Sequence, residues 1–327
     1  MVRFSNVSID LDGLGCYHQI HGLKSAADPT AIYRVAIPRF LELFDELGVR
    51  ATFFVIASDL QYPDTVAALS EAVTLGHECA SHTFHHPYNL RTWNERSIRA
   101  EIGKATEAIG DALGQRPVGF RTPGYNVDTT ILRILAEDGY RYDSSVFPSP
   151  PYYAAKGAIM GAMALARRPS GSAMTHPAAL RAPLQPYRPS RWDFSKRGDR
   201  KHSLPLWEIP IGVLPGARVP VIGTTVGALS PSAAARLVKW FKVGQSSLQF
   251  EMHGIDLLDA NDDCISADLA AKQPDVRRDW NDKRAAFAAY IEASARHAPY
   301  MTLATATDAL DAEAGPTVVG TRMDDYT

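Results

Sequence analysis

Four short segments concentrate residues able to bind a cation or move a proton. In Ile9-Asp10-Leu11-Asp12-Gly13 two carboxylates sit two positions apart, and on an extended strand alternate residues point the same way. Two like charges on one face repel unless a cation or a division of labour separates them; the competing reading is a plain Asp-Gly turn. In Ser81-His82-Thr83-Phe84-His85-His86-Pro87, His82 and His86 are four apart. On one helical turn both imidazoles would share a face, at metal-ligand spacing. Thr83 stands where a zincin helix carries its catalytic Glu, so the pair is not that motif; His85 is a neighbour, a supporting group or an alternative ligand. In Gly119-Phe120-Arg121-Thr122-Pro123-Gly124-Tyr125, Arg121 can brace a carboxylate through two contacts, and the Pro-Gly turn presents backbone N–H groups. Leu248–Gly254 ends a hydrophobic strand in His253, either a poised acid or base or a core histidine.

Singly, each segment has an ordinary structural explanation. Together they make a coherent site. Asp, His and His form a three-ligand set with open positions, the arrangement of a catalytic metal. A second Asp and a separate His supply a base and an acid, and Arg121 with the turn N–H groups supplies orientation and an oxyanion site.

These segments must be positioned by the elements around them, and each lies at or just after an expected strand. Strand signals fall at 7–10, 50–56, 77–81, 118–120, 140–142, 206–209 and 246–252, with a closing strand at Tyr300–Ala304. Helical periodicity covers 31–47, 65–74, 98–113, 129–137 and 279–295, with Gly48, Gly76 and Gly114 at or near the stops. Alternating strand and helix implies a parallel sheet, open or closed into a barrel, whose sites form at the C-terminal strand ends.

The middle of the chain departs from that alternation. Residues 148–220 hold 12 of the 22 prolines, and between Arg167 and His202 nine Lys/Arg face two Asp. We read 148–205 as an insertion or long loop without a core of its own. Within it, Ala154–Ala166 followed by Arg167-Arg168 suits either a lid helix or an anionic membrane face. Trp192 and Trp207 are candidates to stack on a sugar. Cys16, His18 and His21 are weighed as a second metal site, with a place on the substrate rim preferred.

The chain has 327 residues, net charge −2 and 21% charged residues, which argues against a disordered chain and gives no global pull towards nucleic acid. No apolar run is long enough to span a membrane. The N-terminus lacks a leader pattern, and three scattered cysteines, Cys16, Cys79 and Cys264, form no disulfide framework. A cytoplasmic location is expected, with membrane association as an extension.

The ordered segments resemble the motifs of the NodB-like polysaccharide deacetylases, carbohydrate esterase family 4, over roughly residues 5–145 and 206–305. Asp10-Leu11-Asp12-Gly13 is similar to the first motif, His82-Thr83-Phe84-His85-His86 to the second, Arg121-Thr122-Pro123 to the third, and His253 to the histidine of the fifth. Gly76-His77-Glu78 and Tyr140–Ser145 are also typical of relatives. Four features depart from the pattern, one of them the insertion at 148–205, which has no place in it. Leu11 separates aspartates that are usually adjacent, as in a subgroup containing peptidoglycan and cyclic-amide hydrolases. Val146 and Phe147 stand where a fourth motif carries Asp then Trp, and Glu251 replaces the Leu of Leu-x-His.

The resemblance implies an α/β fold, a distorted (β/α)7-type barrel of the NodB homology fold, to which composition adds the long Pro-rich basic insertion. It implies one domain over 1–312, with 148–205 as insertion or lid, and a flexible tail at 313–327. It implies a divalent metal held by Asp12, His82 and His86: zinc (Zn2+) first, with Co2+, Mn2+ or Ni2+ as alternatives. Asp10 would be the base, Arg121 its brace, the Tyr125 N–H the oxyanion donor and His253 the acid, with Asp143 a candidate to orient His253. The reaction would remove an N-acetyl or N-formyl group from an amino sugar, carried on a lipid or a nucleotide. A peripheral contact with membrane or lipid carrier would run through 150–202, and no nucleic acid is expected. The alternatives are a cyclic-amide (allantoinase-like) hydrolase on the same fold, or a catalytically dead carbohydrate- or lipid-binding protein.

Overall fold

Seven parallel strands form one curled sheet in a computed structural model that describes residues 2–24, 27–165 and 173–314. The strands are β1 (Phe4–Asp10), β2 (Thr52–Val55), β3 (Glu78–Ser81), β4 (Gly119–Phe120), β5 (Tyr142–Asp143), β6 (Trp207–Glu208) and β7 (Ser247–His253), in the order β6-β5-β4-β3-β2-β1-β7. This is the distorted (β/α)7 barrel that the resemblance implies, left open between β6 and β7. Each motif leaves its strand at the C-terminal end, so one rim of the barrel gathers them. Register brings Asp10 opposite both Phe54 and His253.

Helices pack on the outside. They are α1 (Leu14–His21), α2 (Ile37–Glu46), α3 (Pro63–Thr74), α4 (Glu95–Leu113), α5 (Thr129–Glu137), α6 (Pro150–Leu165), α7 (Gly223–Gly227), α8 (Pro231–Phe241), α9 (Ala267–Lys272), α10 (Trp280–Ala295) and α11 (Leu303–Ala314). Several starts follow capping chemistry. Asn94, Asp128 and Asp279 each accept a hydrogen bond from a first-turn backbone N–H, satisfying a donor the helix cannot. The expected helix at 31–47 begins as a π-turn over Ile32–Ala36, in which the Ile37 N–H reaches back five residues to Ile32. Pro38 follows at once and has no N–H to continue an α ladder through that turn.

Strand alternation divides the core. Val7 and Ile9 of β1 face the helices with Phe40, Phe44, Phe53, Phe250, Phe287 and Tyr290. Phe4 faces the barrel interior, where it meets Phe54, Ala80, Tyr142 and the α11 residues Leu303, Ala306 and Leu310. So α11 closes the N-terminal mouth. Glu78 pins it there, accepting from Thr52 Oγ1, Tyr142 OH and the Ala304 N–H. His77 is likewise structural, its Nδ1 accepting from the Ala51 N–H.

The structure corrects two expectations. Tyr300–Ala304 is not a strand: it makes a single parallel bridge, Tyr300 to Ser5, along the part of β1 that β2 does not reach, and Leu303 then opens α11. The region 148–205 is also not one loose loop. It starts as α6, and beyond 173 it buries Ala178, Ala179, Ala182, Tyr187, Phe194 and Leu204, most of them against residues such as Phe120 and Leu132. Its cations are partly tied down, with Arg188 on Asp311 and over Trp207, Lys196 on Asp193, and Arg197 on the Pro186 carbonyl. Arg167, Arg168 and the tail at 315–327 lie outside the described residues, and 313–314 belong to α11. Among the described residues no helix is long and apolar enough to cross a membrane.

Gly119 on β4 has no room for a side chain, since a Cβ there would lie 1.9–2.3 Å from the Tyr142 ring. Gly119→Ala is expected to lower stability by about 1–3 kcal/mol, the usual cost of overpacking. Chemical denaturation checks this, and an unchanged midpoint would show that β4 and β5 can slide apart freely.

Candidate active site and metal centre

The site grows from a buried ion pair. Asp10, the last residue of β1, and Arg121, just past β4, are both almost wholly buried. Arg121 Nη1 donates to Asp10 Oδ1 at 2.5 Å, Nη2 to Ser8 Oγ and Ser144 Oγ, and Nε to the Ser144 carbonyl, and its guanidinium lies 4.0 Å over the Phe54 ring. A guanidinium this well bonded cannot rotate, and it fixes the position of the carboxylate it touches.

Beside that pair lie Asp12, His82 and His86. The expectation of a helical turn for the two histidines fails: 82–86 is a loop, with Thr83 at φ 70° and His86 at φ 58°. Left-handed backbone at a β-branched Thr is unfavourable and persists only where neighbours hold it. Here Thr83 Oγ1 accepts from the His86 N–H, and the Ala57 and Ser58 N–H groups bond the carbonyls of Thr83 and Phe84. The loop still brings both imidazoles to one place, with ring centroids 5.0 Å apart. Asp12 Oδ1 is 3.3 Å from His82 Nε2 and 3.1 Å from His86 Nε2. His82 Nδ1 is 2.8 Å from the Arg121 carbonyl. A carbonyl only accepts, so Nδ1 carries the proton and Nε2 keeps its lone pair for the centre.

The donor set fits a divalent ion. The ligand atoms of Asp12, His82 and His86 lie within 4.8 Å of one another. Asp12 Oδ1 and His86 Nε2 are buried without a well-directed hydrogen bond, a costly arrangement unless something else binds them. Burial opposes charge on both groups, yet Asp12 is held well below the usual carboxylate range by the imidazoles of His86 and His82, and Asp12 lifts His86 to about 9. The Asp12 carboxylate thus favours positive charge at His86, and a divalent ion bound there would take the place of that proton, since only the neutral imidazole is a ligand. His86 Nδ1 faces the Cys16 thiol at 3.5 Å. No second metal set forms from Cys16, His18 and His21, because Cys16 turns to His86 and His21 to Gln273.

Across the cavity His253 ends β7 with its side chain a quarter exposed. Its Nδ1 is 3.1 Å from Glu251 Oε1, which also accepts from the Tyr125 OH. Burial works against the imidazolium, but the Glu251 carboxylate wins and raises His253 to about 9; burial in turn raises Glu251 to about 7. Gly254 follows because Ile32 of the π-turn packs there, where a Cβ would sit 2.4 Å from it. Asp256 accepts from the His253 backbone N–H.

Glu251, and not Asp143 as expected, is thus the carboxylate that touches the His253 ring. The structure corrects that assignment. Asp143 accepts from Ser145 N–H and Oγ, and Ser145 Oγ accepts from the Thr122 N–H, so Asp143 supports the turn after Arg121. Burial raises both Asp143 and its neighbour Glu208, which favours a proton shared between them. The signal for Glu251 was in the sequence, two residues before His253 on the same face of a strand, where family relatives carry Leu. The Tyr125 N–H lies near the cavity but makes a 3.2 Å bond to the Thr122 carbonyl. His85 leaves the centre for Glu101, Trp207 is packed into the core, and Trp192 is exposed beside His202.

The cavity over these groups measures about 240 Å³ and is lined by Asp10, Asp12, His82, His253, Tyr152 and Lys156, among others. Tyr152 and Lys156 come from α6, and Lys156 Nζ donates to the Gly124 carbonyl. So the insertion roofs the site.

Comparison with known proteins agrees with the motifs. A family model for polysaccharide deacetylases matches residues 30–142. The chain is 25% identical over 158 residues to a peptidoglycan deacetylase of Helicobacter pylori, covering 46% of this chain and 52% of that one. It is 33% identical over 103 residues to chitin deacetylase 1 of Cryptococcus neoformans, covering 31% and 21%. These matches span about half the length of the curated relatives or less. A candidate polysaccharide deacetylase from Mycobacterium smegmatis shares the fold over 98% of this chain and 95% of its own, with TM-score 0.56 and 18% identity. The Puue allantoinase does so over 99% and 91%, with TM-score 0.56 and 14% identity.

The Glu251 contact predicts a shift that can be read directly. Glu251→Gln removes the anion that raises His253, so the imidazole should lose its proton at a pH clearly below 9. Titration of its ring resonances by NMR checks this, and an unmoved value would mean that Glu251 does not set the charge of His253.

Proposed function

We propose that this chain, similar to the polysaccharide deacetylases through residues 30–142 and built on their fold, is a metal-dependent hydrolase that removes an N-acetyl or N-formyl group from an amino sugar. The observation that carries the reading is the convergence of Asp12 Oδ1, His82 Nε2 and His86 Nε2, two of them orphaned and buried, beside the Asp10–Arg121 pair. Asp12, His82 and His86 would hold the ion, with zinc first among divalent candidates. When bound, such an ion lowers the pKa of a water and polarises the amide carbonyl.

The protein's own groups divide the proton work. Asp10 Oδ1 is engaged by Arg121, which leaves Oδ2, 3.8 Å from His82 Nε2, to take the proton of the attacking water. Arg121 is charged at every working pH and holds the Asp10 carboxylate in place. His253, with Glu251 on Nδ1, presents Nε2 to the leaving nitrogen, and a value near 9 keeps it loaded as an acid at neutral pH. The Tyr125 N–H would serve the oxyanion once the turn at Thr122 releases it.

The cavity of about 240 Å³ lies below the roughly 300–1,000 Å³ that holds a drug-sized ligand. It suits one head group better than a length of polymer, which supports an amino sugar on a lipid or nucleotide carrier. The three free cysteines fit a reducing, cytoplasmic setting. A cyclic-amide hydrolase would use the same groups but release no small acid, and a binding protein without turnover would release nothing.

Two variants test the reading. His82→Ala should lose the divalent ion that the wild type retains at about one per chain, measured by plasma mass spectrometry. Asp10→Asn should keep the ion and lose acetate or formate release by about 10²–10⁴-fold. Near wild-type release from Asp10→Asn would remove Asp10 as the base, and no ion in the wild type after zinc incubation would end the metal-dependent reading.

A further inference from the structure

The catalytic cavity does not stand alone. Ile20 lines both this cavity and a larger groove of about 950 Å³, whose walls are Ile20, Leu23, Ile159, Ala162 and Met163 together with the charged Lys24, Asp268 and Lys272. One wall is the C-terminal end of α1 and the residues after it. The other is α6, whose stripe at 152, 156, 159 and 163 follows helical spacing. The first two of those residues, Tyr152 and Lys156, roof the catalytic cavity, and the last two, Ile159 and Met163, line the groove. One helix face thus changes from aromatic and cationic to purely apolar over ~16 Å.

The helix is unusual in itself. Pro150–Leu165 carries one charge, Lys156, yet no residue of it is fully buried, and Ile159 is 61% exposed. Large apolar surface left open beside a polar cavity marks a binding site for something that covers it. Continuity identifies the occupant. A chain lying in this groove ends at Ile20, against the cavity that holds Asp10, Asp12 and His253, so it belongs to the molecule whose head reaches those groups. We infer that the substrate is an amphiphile, with its amide-bearing sugar head in the small cavity and an apolar tail along the α6 groove. This deepens the proposed amide hydrolysis and rests on it for the identity of the head.

The test separates the groove from the chemistry. Methyl, hexyl, octyl and decyl β-glucosides have no amide to cleave, and below their micelle-forming concentrations they probe the tail alone. Calorimetry on the zinc-loaded wild type should show affinity rising about twofold per added methylene, about half the gain of full burial. The paired substitution Ile159→Asp with Met163→Asp, at partly or largely exposed positions, should flatten that series. The matching alkyl glycosides of N-acetylglucosamine should show the same trend in kcat/KM for acetate release. Affinity independent of chain length would overturn the groove assignment, while acetate release from the short glycoside would leave the hydrolase reading standing. Chain-dependent binding with no acid released from any N-acyl glycoside would keep the groove and end the hydrolase reading. Binding to vesicles of phosphatidylglycerol and phosphatidylcholine, without binding of any monomeric alkyl glucoside, would make α6 a membrane-facing helix and overturn the tail site.

Discussion

A buried guanidinium holding a buried carboxylate is the constraint from which the site is built. Taking Asp10 and Arg121 out of water is costly, and their attraction offsets that cost only if the remaining donors are satisfied. Ser8, Ser144 and the Ser144 carbonyl meet that condition, and the Phe54 ring faces the cation. Removing either partner would strand the other charge, at a cost of about 3–5 kcal/mol. The interior of the barrel is shaped around this need. Beneath the pair lie Phe4, Phe54 and Tyr142, and beneath them α11 shuts the mouth.

From that pair the chemistry spreads in two directions. On one side the Arg121 carbonyl fixes the tautomer of His82 and so aims a lone pair at Asp12 and His86. On the other, β7 sets His253 directly opposite Asp10 in register. The proposed acid and base therefore come from neighbouring strands whose alignment is set by backbone hydrogen bonds. Glu251 and Asp143 show how one requirement can be met from two places. An imidazole that must stay protonated needs a buried anion, and here the same strand supplies it two residues earlier. Asp143 is left to hold the turn that follows Arg121.

Much of this was legible in the sequence because it depends on local periodicity. All seven strands lie where short apolar runs end in polar motifs, and the residue types of Asp10, Asp12, His82, His86, Arg121 and His253, each at or just after a strand end, point to one rim. What escaped was decided at a distance. The loop at 82–86 imitates helical spacing but is held in left-handed turns by β2 and the residues after it. The segment at 300–304 has strand character, yet it bridges β1 only at Ser5 before α11 begins at Leu303. The 173–205 region reads as a polar, Pro-rich loop because its buried alanines and aromatics follow no period, and only the surface of α5 and β4 gives them a place. Cys16 against His86 is a contact of single atoms, which composition and spacing do not encode.

X-ray absorption at the zinc edge of the loaded protein tests the centre most directly, since it reads the ligand atoms themselves. Imidazole nitrogens of two histidines and carboxylate or water oxygen, at about 2.0–2.2 Å and with no sulfur, are the expected result. A sulfur shell at about 2.3 Å would mean that Cys16 has displaced a ligand. A site that takes up no zinc would mean that Asp12, His82 and His86 satisfy one another without it.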